Sequence, residues 1–319
     1  MRQSHIIMWM REPSLLVPYC GPDSSGDTLD IYMYLRPETN GVLTESVIMK
    51  SIVAETHWKQ AVKLVYLANY PGDFVHTRGI IEHHYRLKIL YARWGGKAFT
   101  AGMRKTFQDR FACEFDVKRV LGAFDALEQL GLDEKQLFEY RVDEPDMLIT
   151  LGQNIKRYHD YWIVNYDIPA ILHRNTYETD IAVMVFRVKL KWSDFLDLMN
   201  TMSIHLAKVG ILGADNALSR VVHYSKSPWE QLLDGIDYLW GVDVAEGGAE
   251  ENISFGAYMM NRGCSRETMR NTIRHPLIIY RDASGEEREA NIFTLSEGMD
   301  YPSAADLLNQ VVRPLTLLR

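Results

Sequence analysis

Two kinds of apolar pattern alternate along the chain. Continuous runs rich in β-branched and aromatic residues read as strands at 14–19, Leu29–Leu35 and 181–189. The first two are separated by the turn-rich GPDSSGD (21–27), which predicts a hairpin, and 170–173 flanks RNTYET (174–179) before 181–189 in the same way. A third hairpin is predicted from 276–280, a turn at 282–287, and 290–295. Helical periodicity begins near Thr44 and near Ser193, each with a hydroxyl at the expected N-cap and an acid in the first turn. Ser227-Pro228-Trp229-Glu230 reads as a capping box with proline at the first helical position, followed by Leu232, Leu233, Ile236 and Leu239 and closed by Gly241. Further helices are expected at 80–94, stopped by Gly95-Gly96, and at 100–111, 117–130, 265–274 and 303–312.

These elements also repeat. Pro18 matches Pro169, Asp30-Ile31 matches Asp180-Ile181, Val75-His76 matches Val222-His223, and Trp94-Gly95 matches Trp240-Gly241. Cys113 with Arg119 matches Cys264 with Arg270, and Glu134 and Glu144 match Glu287 and Glu297, all at offsets from 146 to 153. The expected fold is α+β, two related halves of β-hairpin plus helices at 1–153 and 154–319, a tandem duplication. Asp30 should then superpose on Asp180, His76 on His223, and Trp94 on Trp240. Both tryptophans should be buried, each before a glycine of positive φ. The last hairpin and helix compete as a third copy of the unit.

Composition adds class and compartment. Of 319 residues 47% are hydrophobic and 24% charged, with Gly 21 and Pro 11, which excludes disordered and collagen-like chains. A net charge of −7 argues against a basic coat for nucleic acid or membrane. The apolar centre of the first fourteen residues is too short for a leader, and no run suits a membrane span. Cys20, Cys113 and Cys264 form no CxxC pair, the usage of a reducing compartment, so a cytoplasmic location is expected.

The charge is segregated. Residues 78–119 carry ten Lys and Arg against four acids, while 227–261 carry seven acids and neither Lys nor Arg. Such placement points to an anionic small molecule or an acidic protein surface as partner. Within the basic segment, WGGKAFT (94–100) places a glycine turn before a helix, an anion-binding arrangement in which Arg93, Lys97, Thr100 and Arg104 are the candidates. It has neither P-loop nor GxGxxG spacing. Aromatic residues interleave with the cations as base stacking would need, but aromatics at helical spacing are more often core, so nucleic acid is not favoured. In the alternative, Arg86, Lys88, Arg93, Lys97, Arg104 and Lys105 pair internally with Glu230, Asp234, Asp237 and Asp243.

Catalytic signals are sparse. Adjacent His83 and His84 point about 100° apart on a helix, and no HExxH or Cys/His spacing occurs, so neither metal nor cofactor is expected. A site made of His57, His76 and His83 would need the fold to assemble it. No GxSxG is present. The expectation is a non-catalytic cytoplasmic binding or regulatory protein that takes an anionic ligand or acidic partner on its 78–119 surface. The alternative is an enzyme, a hydrolase or transferase, acting on a phosphorylated or carboxylated small molecule. Its site would lie in the cleft between the halves, with His76, His173, Asp180 and Arg187 as candidates.

Overall fold

The computed structural model describes residues 10–213, 216–242 and 249–315, and Asp243 lies outside them. The strands are β1 (Ser14–Val17), β2 (Leu29–Leu35), β3 (Val62–Tyr70), β4 (Val120–Gly122), β5 (Met147–Thr150), β6 (Gln153–Tyr158), β7 (Tyr161–Val164), β8 (Ile181–Val188), β9 (Val222–Tyr224), β10 (Leu277–Arg281), β11 (Glu287–Asn291) and β12 (Val311–Pro314). They form a central sheet in the order β1-β3-β8-β2-β9, antiparallel throughout, and two smaller sheets, β4-β7-β6-β5 and β11-β10-β12. The helices used below are α1 (Val42–Ala54), α2 (Ile80–His84), α3 (Arg86–Trp94), α4 (Ala101–Phe111), α5 (Trp192–Lys208) and α6 (Pro228–Tyr238). The protein is mixed α and β, and among the described residues no helix is long and apolar enough to cross a membrane.

The continuous apolar character of β2 and β8 has a direct cause: both faces of the central sheet are covered. Successive side chains of a strand point to opposite faces. Ile31, Met33 and Leu35 therefore share one core with Val47 and Ile48 of α1 and Phe195 and Leu198 of α5. Tyr32 and Tyr34 share the other with Trp229 and Leu232 of α6. β2-α1-β3 and β8-α5-β9 are two β-α-β units whose strands interleave, a split arrangement. Residues 71–180 lie between β3 and β8 and carry the whole β4–β7 sheet.

Several local expectations change once partners are known. The runs at 14–17 and 29–35 do not form a hairpin: β1 pairs with β3, because both edges of β2 are taken by β8 and β9. The 170–173 segment is helical, within Ile168–Arg174, where Pro169 sits in the first turn and suits helix initiation. Residues 117–130 divide into β4 and a helix, Ala123–Leu130, and 303–312 into a helix, Tyr301–Asp306, and the start of β12. The expected third hairpin forms, in register from Leu277↔Asn291 to Arg281↔Glu287, but its second strand is β11 at 287–291 rather than 290–295, and Ile292–Leu295 is helical.

The sequence correspondence of the halves is followed only over β2-α1 and β8-α5. Val75-His76 lies in a helix, Gly72–Thr77, while Val222-His223 begins β9, so these histidines do not occupy equivalent places. Trp94 is 56% exposed rather than buried, and Trp240 is half-buried against Phe74, although Gly95 and Gly241 both have positive φ. The central sheet takes strands from both sides of residue 153, which itself opens β6.

Gly95 is required by packing. Its φ is +50°, and a Cβ there would lie 2.4 Å from the Gly122 nitrogen and 2.6 Å from the Val120 oxygen in β4. Gly95→Ala is expected to cost about 2–3 kcal/mol in urea unfolding, from overpacking against backbone plus an unfavourable φ. Gly131→Ala, at φ +63° with open space around it, should cost only about 1 kcal/mol.

Candidate functional site

A cavity of about 530 Å³ opens where the end of β2, β6, the helix Ile168–Arg174 and the turn Leu218–Arg220 meet. Five cationic residues line it, Arg36, Arg141, Lys156, Arg174 and Arg220, against two acids, Glu38 and Asp167. Arg36 directly follows β2 and is tied by Nε to the Ser219 carbonyl at 3.2 Å and by Nη1 to the Tyr85 hydroxyl at 3.0 Å. Arg174, the last residue of its helix, meets Glu38 at 2.6 Å. The Arg174 and Arg220 guanidinium groups lie 4.5 and 3.5 Å from the centre of the Phe138 ring. Arg220 is held below the ordinary guanidinium range by burial and then by the like charge of Arg174.

Lys156 is the deepest of the five. It points inward from β6, and its Nζ donates to the carbonyls of Leu137 at 2.5 Å and Tyr140 at 2.7 Å, with the Tyr166 ring centre 3.9 Å away. Burial lowers its amine to about 8, opposed by Asp167 and reinforced by Arg220. A small cleft holding this many cations at close range is a well of positive potential, suited to a carboxylate or phosphate.

On the far side of Arg36 and Tyr85 lies a second polar group, sunk in the tyrosine-rich core. His84 comes from the end of α2, His223 from β9, and Glu230 and Asp234 from consecutive turns of α6. Ser227 caps α6 by accepting from the Glu230 N–H at 3.2 Å, while the Glu230 carboxylate accepts from the Lys226 N–H at 2.7 Å. His84 Nδ1 is 2.8 Å from Asp234 Oδ1, and His223 Nε2 is 3.6 Å from Glu230 and 3.8 Å from Asp234. The Tyr34 ring stacks on His223, and the Tyr85 ring lies 4.6 Å from His84.

Burial governs ionisation there. It lowers His84 to about 4 and holds His223 well below the ordinary imidazole range, His84 adding to the latter. It raises Glu230 to about 7, with Asp234 adding, and raises Asp234 well above the ordinary carboxyl range, with Asp237 adding. Burial thus disfavours the charged form of all four groups, those of the short His84–Asp234 contact included. His83, its neighbour in sequence, turns outward to Asp237 at 2.8 Å.

Comparison with family models, curated proteins and solved structures gives no match.

The sequence candidates are placed elsewhere. Arg93 and Lys97 are exposed, and Gly95 and Gly96 are buried against β4, so no backbone cradle faces solvent between them. Thr100 caps α4 by accepting from the Met103 N–H and donates to Glu289, whose carboxylate also accepts from the Gly102 N–H at 3.4 Å. The anion at that helix end is thus the chain's own. Arg104 lies over the Phe115 ring at 5.3 Å.

His76, His173, Asp180 and Arg187 do not converge. His76 is exposed beside Tyr177, and His173 pairs with Glu134 at 2.8 Å. Asp180 accepts from the Gly72 N–H at 3.1 Å and meets Arg11 at 3.2 Å. Arg187 stands at the other end of β8, roughly 20 Å along the strand, in bidentate contact with Asp30. Of the six named bases in 78–119, Lys88 faces Asp167 at 3.9 Å and Lys105 faces Asp109 at 2.7 Å. Among the described residues the acids of α6 meet histidines instead.

Both groups escape sequence reading. The cleft cations are scattered over 36, 141, 156, 174 and 220 without a local run. The expectation of no metal site came from spacing along the chain, whereas this group of ligating side chains is gathered from three elements. Its one local signal is Glu230 and Asp234, acids four residues apart on the same stripe of α6 as buried Tyr238.

Proposed function

We propose that the protein binds an anionic small molecule in the cleft lined by Arg36, Arg141, Lys156, Arg174 and Arg220. The observation that carries this is the excess of five cations over two acids around a single cavity of about 530 Å³, a size that suits a metabolite. The reading keeps the anionic ligand expected from sequence and moves it from the 78–119 surface to the cleft. Unpaired Cys20, Cys113 and Cys264 support the expected reducing, cytoplasmic setting.

Calorimetric titration with inorganic pyrophosphate tests it. Binding should be measurable at about 50 mM salt and weaken at about 200 mM, since screening shortens the reach of each charge. Arg174→Ala with Arg220→Ala should lower affinity at least tenfold, about 1.5 kcal/mol or more for lost charge-assisted hydrogen bonds. Arg93→Ala with Lys97→Ala should leave it unchanged. No binding at the lower salt, or loss only in the second pair, would overturn the cleft assignment.

One observation favours the enzyme alternative as a second reading. Arg36 touches both the cleft and Tyr85, beside the histidine–carboxylate group. Turnover of a bound ester that stops in His223→Ala, with binding retained, would decide for it.

A further inference from the structure

We propose that His84, His223 and Glu230, with the Asp234 carboxyl beside them, form the binding site of one divalent transition-metal ion. The inference stands apart from the ligand of the cleft. Its first support is convergence: α2, β9 and α6 each deliver ligating atoms to one place, and one donor atom from each of His84, His223 and Glu230 lies within 4.8 Å of the others.

The second support is that these atoms lack other partners. His84 Nδ1, His223 Nε2 and both oxygens of Asp234 are buried without a hydrogen bond, and the Asp234 side chain is fully buried. The 2.8 Å approach of His84 to Asp234 does not form a hydrogen bond, so neither group satisfies the other. A buried carboxylate with neither oxygen paired is costly, and a cation between it and the imidazoles removes that cost.

Spacing and chemistry agree. Donors about 2.0–2.2 Å from one ion sit roughly 3–3.6 Å apart, and His223 Nε2 stands 3.6 Å from the Glu230 carboxylate. Two imidazoles with two carboxylates suit Zn²⁺, Fe²⁺ or Mn²⁺ rather than the all-oxygen shells of Ca²⁺ and Mg²⁺ or the thiolate sites of Cu⁺. Glu230 is already oriented, one oxygen held by the Lys226 N–H and the other turned to His223, the kind of outer support that metal ligands receive.

The test uses the full chain, stripped with chelator and titrated with Co²⁺. One ion per chain should bind, with visible d–d absorption that Zn²⁺ displaces. His223→Ala and Glu230→Gln should each weaken Co²⁺ binding about a hundredfold or more. Glu230→Gln keeps the side-chain shape and decides the matter if His223→Ala does not fold. Absence of stoichiometric Co²⁺ uptake by the unaltered chain, or an affinity unchanged in Glu230→Gln, overturns the proposal.

Discussion

Arg187→Met should lower the free energy of unfolding by about 3–5 kcal/mol, because it strands a buried charge. Asp30 is fully buried. Arg187 Nε and Nη2 each reach one of its oxygens at 2.8 Å, while the Tyr19 hydroxyl donates at 2.7 Å and Ser254 Oγ at 2.6 Å. Antiparallel pairing of β2 with β8 sets Asp30 directly opposite Arg187, so the sheet register creates the pair. Removing the guanidinium leaves the carboxylate with two hydroxyl donors and no countercharge. The double change Asp30→Leu with Arg187→Met removes both charges and should recover most of the loss. Urea unfolding of the two variants near pH 7 measures this, and a loss below about 1 kcal/mol in Arg187→Met would refute a buried ion pair. The residue that sequence offered for catalysis is on this account a strut of the central sheet.

Lys156→Met is expected to cost about 2–3 kcal/mol, since the carbonyls of Leu137 and Tyr140 lose their donor inside the protein. Its pH signature separates this from simple packing loss. The folded amine titrates at about 8 against 10.5 ordinarily. Between those values the unfolded chain holds a proton that the folded chain has released, so this group makes stability rise with pH across that window. The methionine variant should lack the rise. In the same window the cleft loses the Lys156 charge, with Arg36, Arg141, Arg174 and Arg220 remaining, so pyrophosphate affinity should fall as pH passes 8. Urea titrations and calorimetry across that range test both, and an affinity flat with pH would remove Lys156 from the ligand's surroundings.

What could be read in the sequence was local. Ser227 caps its helix as expected, whereas Thr44 and Ser193, expected to cap, lie inside helices that start at Val42 and Trp192 with no side-chain cap. The runs of β2, β8 and β10 are strands because apolar character needs no knowledge of the partner. Partner choice was not legible: β1 and β2 look like a hairpin, yet β2 is better covered by β8 and β9, which lie far along the chain. The same limit hid the sites. A run of cations at 78–119 draws the eye, but Arg86, Arg93, Lys97 and Arg104 lie on exposed surface outside the cleft. The cleft instead gathers single cations from five segments, as the histidine–carboxylate group gathers its members from three.

Tyr70 and Ile181 are register partners at the ends of β3 and β8. The chain thus leaves the central sheet and returns to it one strand spacing apart, about 4.8 Å. Loop-closure entropy grows only with the logarithm of loop length, so a 110-residue excursion in place of a two-residue turn adds roughly 3–4 kcal/mol if it stays a random coil. Most of that penalty disappears once the excursion has collapsed on the β4–β7 sheet and brought its own ends together. The compact 71–180 segment thus acts as a short connector, holding β3 and β8 side by side for pairing despite the chain length between them.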